Sequence, residues 1–193
     1  MNAEAAPTPS RWDAKKIALR VVIVIGILVL IPIVALGALL VTSGSSDGPG
    51  AVFGGGPLVS GELVTGPEPD WSFAHDVREI ELALLDPPRS RLIWIAEHEG
   101  KIYVVSGYMG STIGRLWKRW PMEAERDGRA VIRVGGKRYQ RTAVRITTGA
   151  RLEGITAALR RNGSGATRAN VEAGEMWLFE LAPPSSDMTG APR

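Results

Sequence analysis

Cysteine is missing from this chain altogether. That excludes disulfides, thiolate metal sites and cysteine nucleophiles, and says little about compartment, since exported domains also fold without disulfides. Histidine is nearly missing too. His75 and His98 are its 2 histidines, too few and too isolated for a histidine-based metal site, so no metal is expected. His75 has Asp76 beside it, but no nucleophile pattern accompanies the pair. There is no Gly-x-Ser-x-Gly, no phosphate-binding P-loop and no paired histidine on a helix. The charge is nearly balanced. The net charge is +3, and Arg11, Lys15, Lys16 and Arg20 all lie in one short stretch. What remains lacks the basic face of a nucleic-acid binder, so no nucleic-acid partner is expected.

What the chain does have is one long apolar run. Residues 21–41 hold no charged and no strongly polar side chain. At about 1.5 Å per helical residue the run reaches roughly 30 Å, the thickness of a bilayer's hydrocarbon core. A water-exposed helix of this length would carry a polar face. Gly26 and Pro32 are tolerated in spanning helices. We read residues 17–42 as one transmembrane helix, with the lipid bilayer as its partner. The rival is a cleaved signal peptide, whose apolar region is about 7–15 residues ending at a small-x-small site. The best such site here, Ala35-Leu36-Gly37, lies inside the run. Basic residues near a span stay cytoplasmic. The next one after the span is Arg78, so residues 1–16 are expected inside and the domain outside. Trp12 is placed to anchor the span at the interface.

Residues 1–10 and 185–193 read as disordered tails. Residues 43–70 hold eight glycines and four prolines, which reads as a linker. Residues 62–64 are a candidate edge strand within it, and Val52 and Phe53 are a lone apolar pair.

The folded domain is expected over residues 71–184. Residues 79–84 alternate, with Ile80, Leu82 and Leu84 on one side, and predict a half-buried strand. Asp86-Pro87-Pro88 ends it. Residues 91–97 and 101–106 form a hairpin across His98-Glu99-Gly100. In residues 113–120 a helix places Ile113, Leu116, Trp117 and Trp120 on one face, with Pro121 kinking or ending it. Residues 122–126 suit a further short turn. Residues 130–134 and 137–146 form a second hairpin through Gly135-Gly136. The second strand becomes apolar at Val144 and Ile146 and is expected to project beyond the core. Arg133, Arg141 and Arg145 read as surface ion pairs with partners such as Glu79. A helix over 150–161 packs Leu152, Ile155 and Leu159 on one face, and residues 176–181 make the last strand. The order predicts an α+β protein: a mainly antiparallel barrel with two helices.

One cluster suits a ligand. A phosphate needs positive charge and free backbone N–H groups at a helix start. Ser106, Gly107, Ser111 and Thr112 offer hydroxyls and close backbone approach. Lys118 and Arg119, with Arg115, offer charge, and Tyr108 could cover an aromatic ring. The plainer reading is that Ser111 or Thr112 caps the helix and the cations form a solvated face. Trp117 and Trp120 read as core or dimer interface.

The element order, with Tyr103-Val-Val-Ser-Gly-Tyr-Met-Gly110, Leu116-Trp117-Lys118, Val131-Ile-Arg-Val-Gly-Gly-Lys-Arg-Tyr139 and Ala143-Val-Arg145, resembles the split β-barrel proteins that bind flavin or deazaflavin. These include pyridoxamine-phosphate-oxidase-like proteins and, most closely, deazaflavin-dependent nitroreductases. The resemblance covers about residues 77–160. It implies FMN or deazaflavin as cofactor, nitroreductase-type oxidoreductase chemistry, and a homodimer through the barrel. Two positions depart from the pattern. Trp120-Pro121 stands where the nitroreductases carry Asn-Leu. The basic segment that holds cofactor phosphate in relatives is reduced to Arg89-Ser90-Arg91. The alternative is a non-enzymatic envelope module that keeps the barrel and binds no cofactor, in keeping with a domain outside the cytoplasm.

Overall fold

In the computed structural model, residues 11–44, 46–49 and 54–184 are described, apart from the side chains at 11–14, 40–43, 113, 116 and 117. Both tails, Trp12, Val52, Phe53 and the expected helix face at Ile113, Leu116 and Trp117 therefore fall outside the description. The chain divides into two units, with the boundary between Thr42 and Ser43.

Among the described residues, the first unit is made of one helix, α1 (Arg11–Ser43), with Pro32 inside it. Its segment Lys15–Leu39 is long and apolar enough to cross a membrane. Large apolar side chains along it, from Ile17 to Leu39, are exposed. A core helix would bury them; in lipid the same surface costs nothing.

The second unit is a closed antiparallel barrel. Its strands are β2 (Glu79–Leu85), β3 (Pro88–His98), β4 (Lys101–Ser106), β5 (Arg129–Val134), β6 (Lys137–Ile146) and β7 (Trp177–Ala182). They run in the order β6-β5-β2-β3-β4-β7, and β7 closes back onto β6. A short strand, β1 (Glu62–Leu63), lies parallel along the start of β6. The hairpin turns have the backbone their residues predict. Gly135 and Gly136 both take positive φ, as a type I′ turn demands. Glu99-Gly100 does the same between β3 and β4.

Alternation sorts the strand residues into two cores. Ile80, Leu82, Leu84, Ile95, Ile102, Val104, Ile132 and Phe179 fill the barrel, with Trp71 and Trp120 packed among them. The opposite face of β4, through Tyr103 and Val105, is covered by α4 (Leu152–Arg161). Leu152, Ile155 and Leu159 are the buried stripe of that helix, as their spacing predicts.

Four expectations change. The helix expected over 113–120 is two helices, α2 (Thr112–Trp117) and α3 (Trp120–Arg126), with Pro121 in the first turn of α3. Proline lacks the N–H that a helix interior needs but fits a first turn, so the chain restarts there. The domain holds more than two helices: a 3-10 turn (Trp71–Asp76) and α5 (Arg168–Glu172) are added. On β6 the buried residues are Tyr139, Arg141 and Ala143, whereas Val144 is exposed. The buried face is the polar-looking one because Glu68 neutralises Arg141.

Finally, residues 54–70 do not stand clear of the domain as a linker would. Gly55 bridges Ser90, Leu58 is 4% exposed and β1 joins the sheet. Asp47 pairs with Arg133 at 3.0 Å, and Glu68 pairs with Arg141 at 2.6 Å. Glycine-rich composition here permits close approach to the barrel wall: a Cβ on Gly55 would lie 1.6 Å from the Gly48 carbonyl oxygen.

Candidate functional site

Two adjoining clefts open where β4 ends, beside the middle of β3. The narrower, about 330 Å³, is lined by Arg91, Ser106, Gly107, Lys118, Trp94 and Trp120, among others. The wider, about 730 Å³, shares Trp94, Gly107 and Lys118 and continues past Tyr108 and Ser111 to Asn170 and Glu175. Both volumes fall in the range of small-molecule sites.

The strand period delivers the narrower cleft's polar groups. Arg91 sits opposite Leu82, on the barrel-filling phase of β3 that also carries Ile93 and Ile95. Ser106 shares its phase with Ile102 and Val104. At the barrel's end this phase meets the cleft instead of the core. Ser106 Oγ is buried and has no hydrogen-bond partner among the described residues, and neither has Arg91 Nε. The Arg91 guanidinium lies 5.7 Å from the Trp120 ring centre. Burial pulls its pKa down to about 10, against a smaller opposing pull from Glu123.

Lys118 follows the last residue of α2, at the break that Pro121 enforces. Its Nζ lies 5.1 Å from the Tyr108 ring centre, and burial lowers its pKa from the ordinary lysine value. Neither Arg91 nor Lys118 makes an ion pair among the described residues. Their situation contrasts with that of Arg133, Arg141 and Arg145, each of which bonds a carboxylate, from Glu81, Glu68 and Glu125 respectively. Two partly desolvated cations and an unpartnered hydroxyl thus line one cleft, with Glu79 also on its wall; unpaired cations of this kind favour an anion.

The other expected site residues divide. Gly107, Tyr108 and Ser111 line the wider cleft. Ser111 is fully engaged locally, accepting from the Gly114 N–H at 3.0 Å and donating to the Tyr108 carbonyl at 3.3 Å. It is the helix cap, and α2 is too short to offer a second use of its N-terminus. Thr112 is exposed at the start of α2 and lines neither cleft. Arg119 faces a separate, open cleft with Asp86 and Met122.

Sequence reasoning reached Arg91 only through the family resemblance and missed Trp94, Asn170 and Glu175. The signal for Arg91 was present: a charge on the apolar phase of a strand. Trp94 carried a fainter one, an aromatic on the outward phase. Asn170 and Glu175 come from the far end of the chain and carry none.

No protein-family model matches the chain, and no curated protein matches it. Among solved structures, the conserved hypothetical protein Rv2991 from Mycobacterium tuberculosis is similar over 68% of this chain and 92% of that one, at 13% identity and a TM-score of 0.44. At that distance the likeness assigns no ligand, activity or residue. The chain is an α+β protein with a closed antiparallel barrel and one N-terminal helix long and apolar enough to cross a membrane.

Proposed function

We propose that this is a membrane-anchored barrel protein whose paired clefts bind a phosphorylated planar cofactor of the flavin class, FMN or a deazaflavin. The observation that carries the proposal is the narrower cleft: Arg91 and Lys118, partly desolvated and without carboxylate partners, beside the orphaned Ser106 hydroxyl. A phosphate offers each of the three groups an acceptor oxygen. The wider cleft then takes the ring, with Trp94 and Tyr108 supplying aromatic surface. A bound flavin supplies hydride or electron transfer; the chain's own residues fix its phosphate, orient its ring and exclude water from one face.

The test uses the full chain in lipid nanodiscs, titrated with FMN and with riboflavin, which lacks the phosphate. FMN should bind more tightly than riboflavin. Arg91→Gln with Lys118→Gln should remove that preference, weakening FMN by at least about tenfold, since each charge-assisted bond contributes about 1.5–3 kcal/mol. A chain that binds neither flavin, or both equally, overturns the proposal.

The second reading keeps the cleft but drops the redox chemistry: an envelope module that binds an anionic ligand. The basic N-terminal flank favours it, because it directs the domain away from the cytoplasm, where reduced nicotinamide and deazaflavin are supplied.

A further inference from the structure

Tyr108 has a backbone φ of +66°. Left-handed backbone is strained for any bulky side chain and persists only where the surroundings enforce it. One other non-glycine residue among those described has positive φ, Glu99, and the β3–β4 hairpin demands that conformation of it. No hairpin makes such a demand of Tyr108, and a glycine would sit there without strain. Glycines stand nearby at 107 and 110, yet the strained position itself carries a tyrosine.

The surroundings hold it firmly. Met109, next along, is buried, and its N–H bonds the Glu175 carbonyl at 2.8 Å. The Tyr108 carbonyl accepts from Ser111 Oγ and lies against Gly114, where a Cβ would come within 1.8 Å of it. The ring itself is not part of any core. It is 77% exposed, at the mouth of the wider cleft and beside Lys118 Nζ. Core packing therefore does not account for a strained backbone that projects an aromatic ring into solvent beside a ligand-sized cleft.

We propose that Tyr108 is the specificity-determining wall of this cleft: its ring stacks on the planar ring of the bound ligand while holding Lys118 towards the ligand's anionic end. The inference rests on the flavin-class reading above and deepens it. It also makes the site select for flat, π-bearing ligands over aliphatic phosphates.

The experiment compares Tyr108→Gly, Tyr108→Asn and Tyr108→Phe in the full chain in nanodiscs. Glycine and asparagine both tolerate left-handed backbone, so at least one fold is preserved. Tyr108→Gly should unfold at a temperature no lower than the natural chain. Both small variants should bind FMN and riboflavin at least about tenfold more weakly, the effect of losing one stacked ring. Tyr108→Phe should bind both within about twofold of the natural chain, since it keeps the ring face. With lysines reductively methylated with 13C, the Lys118 methyl signal should sit upfield in the natural chain and move downfield in Tyr108→Gly.

Small variants that bind both flavins as tightly as the natural chain overturn the stacking wall and leave the phosphate site standing. Loss of FMN preference in Arg91→Gln with Tyr108 variants unaffected has the same consequence. An unshifted Lys118 signal overturns the positioning role. A natural chain that binds neither flavin overturns both proposals together.

Discussion

Arg91 and Arg141 are the same residue type on two strands of one barrel, with opposite consequences. Arg141 is buried, bonds Glu68 through two nitrogens and the Leu181 carbonyl through a third, and stacks on Trp71. Its bonding capacity is used in holding the structure together. Arg91 has an aromatic face and no carboxylate, so its capacity remains for a ligand. An orphaned polar atom alone does not mark a site: the Tyr103 hydroxyl also lacks a partner, but it lies under α4, where burial pushes its pKa up to about 12. The difference for Arg91 and Lys118 is charge at an open cleft. On the proposed reading Lys118 sets the pH dependence of binding: burial lowers its pKa from the ordinary lysine value, and it must be protonated to hold an anion, so its share of the affinity is lost as pH rises through the lowered value. Burial pulls Arg91 down too, but a guanidinium stays charged throughout. We expect the preference for FMN over riboflavin to shrink without vanishing between about pH 8 and about pH 10.5. Taking the ratio of the two ligands cancels ionisation of the ring, which they share. A constant ratio across that range would mean that Lys118 does not hold the phosphate.

Among the elements, the segment from Ser46 to Asp70 separates what was legible from what was not. The strands were legible because their apolar residues alternate, and α4 because its apolar residues recur at helical spacing. The glycine-proline stretch has neither period. Its described parts, residues 46–49 and 54–70, are held by single long-range bonds: Asp47 and Ser60 to Arg133, and Glu68 to Arg141 and the Trp71 indole. No local pattern encodes such partners, which is also why the Arg141 face of β6 read as surface. The two-helix break at Lys118 was half legible: Pro121 announced a boundary but not its direction. Of the cleft, the loop from Ser106 to Ser111 was legible as glycine and hydroxyl before a helix, whereas its Asn170–Glu175 wall was not. The segment is expected to stabilise the barrel. Glu68→Ala leaves Arg141 buried without its carboxylate. Breaking a fully buried pair costs about 3–5 kcal/mol, but solvent reaches Glu68, which is 41% exposed, so about 2 kcal/mol is expected. Thermal or urea unfolding measures it. Burial raises the Glu68 carboxyl, but the bonds from Arg141 and Trp71 outweigh this and hold it below the usual range. The pair's contribution is therefore present at neutral pH and lost as pH falls through the depressed value. A Glu68→Ala chain as stable as the natural one would return this segment to the status of a spacer.

For the whole molecule, α1 decides where any cleft chemistry can happen. Its apolar stretch can cross a bilayer, and the basic residues flank one end: Arg11, Lys15, Lys16 and Arg20 precede or open it, and Arg78 is the next after it. Cations flanking a span resist translocation, so we propose that this flank stays in the cytoplasm and that the chain beyond residue 43 is exported. A reporter that is active only outside the cytoplasm, fused at the C-terminus, should therefore be active, and one that fluoresces only inside should be dark. Replacing Lys15, Lys16 and Arg20 by Gln should erode that asymmetry. The outcome bears on function through the supply of reductant. An exported domain with FMN in its cleft must receive electrons from the membrane or the envelope, because cytoplasmic nicotinamide cannot reach it. A cytoplasmic domain would have that supply at hand and would favour the nitroreductase-type reading. Export combined with flavin binding predicts that the bound FMN in membranes is not reduced by added NADH when vesicles are sealed with the domain inside, and that permeabilising them changes this only if the chain itself reacts with nicotinamide.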